Sequence, residues 1–166
     1  MAERTPFVDA SVFLGMHHQD PRIRRHSLEF FRRHYRHQVW MNFEQVGICD
    51  AVIWRQRREV QDAYYPFMDR LHSDMQIMRE GYHMRELDLA LGHPELKSLR
   101  PEQALLAAQV MARDGVLATH DPALHRLPCL RSQLWNFASA HPVAAFPADL
   151  QALYETSCAF VHAPGE

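Results

Sequence analysis

Three carboxylates, distant in sequence, fall where they would share one rim. Asp9 closes the apolar run Pro6-Phe7-Val8, Glu44 follows Val39-Trp40-Met41-Asn42, and Asp121 follows Val116-Leu117-Ala118-Thr119. Each short apolar run reads as a buried strand, so each acid falls just past a strand's carboxyl end. In open α/β sheets that is where ligands sit. Oxygen donors grouped there suit a hard cation such as Mg²⁺ or Mn²⁺. Such an ion polarises a phosphoryl oxygen and activates a water, with a second ion about 4 Å away where two are used. Each acid also has a plainer role. Asp9 can cap the turn after its strand, Glu44 can complement a helix N-terminus, and Asp121 before Pro122 can begin a turn. Asp50, six residues beyond Glu44, lies off its helical face.

Histidines border the same positions: His17 and His18 follow Asp9, and His120 precedes Asp121. Imidazole suits Fe or Zn better than Mg²⁺, so a mixed histidine–carboxylate site implies chemistry on a small molecule. No Ser/His/Asp pattern or phosphate-binding glycine loop competes; the 6 glycines are scattered.

The elements that position these residues alternate. After the first strand, Leu28, Phe31 and Tyr35 recur at helical spacing over 21–37, opened by Asp20-Pro21. The second strand leads into a helix over about 43–61. Residues 62–73 read as helical, with Pro66 expected to kink or divide them. A third strand is expected at 75–78, and helices at 83–91 and 101–113. Arg100-Pro101-Glu102 opens the last of these and Asp114-Gly115 ends it. Strand–helix alternation implies parallel pairing through crossovers, hence a three-layer α/β/α sandwich with a mainly parallel sheet.

At 166 residues and 47% hydrophobic the chain suits one globular domain. No run reaches the ~20 apolar residues of a membrane span, and the start of the chain does not resemble a signal peptide. The 3 cysteines are far apart, which fits reduced thiols and a cytoplasmic setting better than a disulfide framework. Net charge is -2 and the pI about 6.6, so contact with nucleic acid needs a local basic patch. The stretch Arg22–Arg36 offers one, unless it is simply a solvated helix face. Tyr64-Tyr65-Pro66-Phe67-Met68 reads as core or a dimer face, or as a base-stacking surface.

Three blocks carry a resemblance. Phe7-Val8-Asp9-Ala10-Ser11-Val12-Phe13-Leu14, then Asn42-Phe43-Glu44-Gln45-Val46, then Ala104-Leu105-Leu106-Ala107-Ala108-Gln109 with Gly115-Val116-Leu117-Ala118-Thr119-His120-Asp121, resemble the successive blocks of PIN-domain metal-dependent nucleases. They cover about a third of the chain, in the family's order. The resemblance implies one PIN-like domain over 1–166, with a helical insertion at about 55–100. It implies a ribonuclease whose Asp9, Glu44 and Asp121 hold the ion. Ser11, Thr119, Arg22, Arg24 and Arg25 would then contact RNA, and a homodimer and an antitoxin-like protein partner are implied as well. In one place the pattern is broken: Gln103 stands where the family has an aspartate. Glutamine offers a single neutral oxygen. Its neighbour Glu102 points about 100° away and replaces the missing acid only if the helix end adjusts. Gln103 therefore leaves two other readings open: an enzyme acting on a small molecule through the acidic rim, and a PIN-like binding module without activity.

Overall fold

A computed structural model describes residues 4–138 and 141–165. Four short strands, β1 (Pro6–Val8), β2 (Gln38–Asn42), β3 (Gln76–Glu80) and β4 (Val116–Ala118), form one all-parallel sheet in the order β3-β2-β1-β4. Around it run α1 (Ala10–Gly15), α2 (Pro21–Arg33), α3 (Phe43–Trp54), α4 (Arg58–Asp74), α5 (Met84–Gly92), α6 (Pro101–Ala112), α7 (Pro122–His125) and α8 (Ala148–Ser157).

Side-chain alternation along the strands makes the layers. Val8, Val39, Met41 and Ala118 face one core, shared with Phe13, Phe31, Phe67 and Leu71 from α1, α2 and α4. Phe7 and Leu117, with Trp40 beside them, face a second core built largely on Leu106, Ala107 and Val110 of α6. The result is the expected α/β/α sandwich.

Local chemistry sets the element ends. Asp9, Asp20, Asn42 and Asp121 each cap a helix by accepting a backbone N–H with the side chain. Pro101 opens α6, and the Gln103 side chain accepts the Arg100 N–H at its entrance.

Some boundaries differ from those read in the sequence. Helix α2 stops at Arg33, and the helix expected over 43–61 ends at Trp54 before α4 restarts at Arg58. Pro66 lies inside an undivided α4 of 17 residues. Pro66 has no N–H to give to the helix, and burial of Tyr64, Phe67, Met68 and Leu71 keeps the helix whole. Residues 55–100 are more than a helical insertion, since they supply the edge strand β3.

Candidate functional site

A cleft of about 830 Å³ opens beyond the carboxyl ends of β1 and β4. Asp9, Ser11, Glu102, Gln103 and Asp121 all line it. Adjacent parallel strands bring Asp9 and Asp121 together, because Val8 pairs with Ala118.

Asp9 is 4% exposed, and its carboxylate is held by three hydrogen-bond donors. One carboxylate oxygen accepts the Ser11 hydroxyl at 2.6 Å and the Val12 N–H at 3.2 Å; the other accepts the Thr119 hydroxyl at 2.5 Å. Burial still holds its pKa above the ordinary carboxylate value, against those hydrogen bonds. Thr119 also accepts the Asp121 N–H at 3.0 Å, and Ser11 accepts the His120 N–H at 2.8 Å. Ser11 and Thr119 thus link the ends of β1 and β4.

Glu44 is not among the residues lining the cleft. Its carboxylate accepts the Tyr82 hydroxyl at 2.7 Å. Gln45, the next residue and about 100° further round α3, is the one that turns in. Its Oε1 accepts the Ala10 N–H at 2.9 Å, which leaves its NH₂ group for the cleft. Gln103 is oriented in the same sense. Its Oε1 accepts the Arg100 N–H at 3.1 Å, and its Nε2 donates to Asp121 at 2.6 Å. Glu102 pairs with Arg100 at 3.1 Å.

The oxygens of this site are already engaged within the protein. Asp9 and Asp121 have each carboxylate oxygen engaged by a protein donor, and both amides present N–H rather than oxygen. Among the described residues, no group of three or more His, Cys, Asp or Glu is arranged to hold a metal ion.

The histidines expected at the rim lie elsewhere. His17 is buried among Tyr64, Phe67, Tyr154 and Phe160, bonded to Ser157 at 2.7 Å, and burial pushes its pKa down to about 4. His18 accepts the Asp20 N–H, and burial lowers its pKa too. His120 turns toward α2, bonded to Ser27 and stacked on Phe137, with its pKa pushed down to about 4 by burial. His120 faces away because consecutive residues at a strand end point to opposite sides, and Asp121 takes the cleft side.

Arg22, Arg24 and Arg25 of α2 are also outside the cleft: Arg22 lines a separate groove with His120, and Arg25 pairs with Glu29. The cations at the cleft are Arg55, just past α3, and Arg100. Residues 160–165 form one wall, tied down where the His162 N–H donates to the His17 carbonyl and the Gln19 N–H to that of His162. The sequence names Gln45 only within a family block and Arg100 only at a helix start, and it marks neither of them, nor Arg55 or this wall, as part of the site. The capping position of Gln45 after Asn42 is the one local signal that marks it.

Among the described residues, no helix is long and apolar enough to cross a membrane. A search of curated proteins finds no match to the chain. The model of a family of unknown function, DUF6190, matches residues 1–165, and the chain belongs to that family.

Proposed function

We propose that this chain is a PIN-like binding module, whose cleft holds the backbone of single-stranded RNA through hydrogen-bond donors and does not cut it. The observation that carries the reading is the orientation of the two amides. Gln45 and Gln103 each spend their oxygen on a backbone N–H, so their NH₂ groups face the cleft or its carboxylate. With Arg55 and Arg100 they offer donors to phosphate oxygens, where a hydrolase needs acceptors for a cation.

A second reading, the metal-dependent ribonuclease, is favoured by one observation: Asp9, Glu102 and Asp121 share the cleft. The small-molecule enzyme assisted by His17, His18 or His120 has no comparable support, since none of the three lines it.

The test is labelled single-stranded RNA with Mn²⁺, followed by anisotropy and by gel. Wild type is expected to bind with an affinity that falls as salt rises, and to leave the strand intact. Arg55→Ala with Arg100→Ala should weaken binding about tenfold or more. Cleavage by wild type that Asp9→Asn abolishes, with the fold intact by circular dichroism, would establish the nuclease instead. Wild type that neither binds nor cuts removes RNA from both.

A further inference from the structure

Between α3 and α4 lies a second cavity, of about 180 Å³, with no part in the cleft. It is smaller than the ~300–1,000 Å³ of sites for drug-sized ligands. Its inner wall is apolar, built on the buried Phe13, Met41, Ile53 and Met68.

Two buried polar atoms beside this wall have no partner among the described residues. The His72 Nδ1 donates to the Met68 carbonyl at 3.0 Å, which fixes the tautomer and leaves Nε2 as a bare acceptor. That Nε2 is buried and has no partner among the described residues. The Tyr64 hydroxyl is in the same position, on a side chain 3% exposed. A buried polar atom without a partner is costly, and two beside one cavity favour a bound partner that can reach them. Asp50 and Asp69 also line the cavity, and neither is in an ion pair among the described residues. Arg79 is the one arginine lining it. Burial lowers the pKa of His72, with the charge of Arg79 acting in the same direction and the Met68 carbonyl, Asp69 and Asp50 acting against it. The wall thus carries two carboxylates and one guanidinium.

We propose that this cavity binds a small primary ammonium ion carrying a short apolar chain. Three N–H donors on one positive centre match the carboxylates of Asp50 and Asp69 together with His72 Nε2 or the Tyr64 hydroxyl. The chain replaces water against Phe13, Ile53 and the two methionines. Tyr65, at the same wall, adds a ring face to which a cation is attracted. The proposal does not depend on what the cleft does.

Hexylammonium chloride is the probe, titrated into the full chain while the methyl signals of Met41 and Met68 are followed by NMR. 1-Hexanol and sodium hexanoate are the controls. Saturable shifts at both methyls are expected below roughly 10 mM, with hexanol weaker by about tenfold and hexanoate weaker still. Asp50→Asn with Asp69→Asn, two exposed positions, should cost about tenfold in affinity while leaving the melting temperature unchanged. Arg79→Ala should tighten binding by removing the opposing charge. Hexylammonium that binds no better than hexanol, or shifts confined to other methyls, would overturn the proposal. So would weaker binding by Arg79→Ala, which would assign the cavity to a zwitterion.

Discussion

Gln103 decides the chemistry of the cleft by the direction of one amide. Its oxygen is held by the Arg100 N–H, so turning the NH₂ away from Asp121 would break the entrance to α6. Gln103→Asp removes that donor and sets two carboxylates side by side. The variant is expected to melt lower than wild type in chelator, by about 1–3 kcal/mol of stability, since a part-buried acceptor loses its partner and gains a like charge beside it. Adding Mn²⁺ should restore much of the loss and leave wild type unmoved. Equal responses to Mn²⁺ in the two proteins would mean that the orientation of Gln103 does not control cation binding. Asp9 and Asp121 are helix caps as well as cleft residues, so neither of the roles that the sequence leaves open excludes the other.

At the scale of elements, β1 and β4 meet at a close approach. A Cβ on Gly115, at the entrance to β4, would lie 2.5 Å from the ring of Phe7 and 3.2 Å from the Thr5 carbonyl. Phe7 is 1% exposed and packed against Trp40, so its ring has little room to give. Gly115→Ala is therefore expected to cost about 1–3 kcal/mol in chemical denaturation. Combining it with Phe7→Leu should cost less than the two singles added together; strict additivity would refute the contact. Most elements were legible in the sequence because their signals are local. Pro101 announces α6, Asp20-Pro21 announces α2, and the apolar runs mark β1, β2 and β4. Helix α8 was missed, although Leu150, Leu153 and Tyr154 recur at helical spacing, because no cap residue announces it: Pro147 opens it without a side-chain hydrogen bond. The site was legible at Asp9 and Asp121, where a strand end fixes the direction. It was not legible at Glu44 and Gln45, where the phase of a helix decides which neighbour turns inward, and a one-residue difference moves the side chain by about 100°.

For the whole molecule, buried histidines couple the fold to acid. His17 has its pKa lowered to about 4 by burial, with His162 and Arg24 adding to the effect. Between the ordinary value near 6.5 and about 4, the unfolded chain binds the proton and the folded one does not. Stability is therefore fully present above ~6.5 and falls as pH drops, by about 3 kcal/mol at pH 4 for this residue. His120 acts in the same direction. Asp9, with its raised pKa, acts in the opposite one. Denaturation midpoints at pH 7, 5.5 and 4.5 should fall in that order, and His17→Phe should flatten the trend; a midpoint constant from 7 to 4.5 rules the coupling out. The central place of β1 has a consequence in time. It pairs with β4 in the register Pro6 to Val116, a separation of 110 residues. A ribosome adding about 5–20 residues each second needs roughly 5–20 s to cover that distance. Throughout that interval the growing chain has Phe7 and Val8 without their partners on one side. Asp9 and Asp121 meet when β4 arrives, and the wall over 160–165 is made later still, so the cleft is the last part of the sheet's rim to be completed.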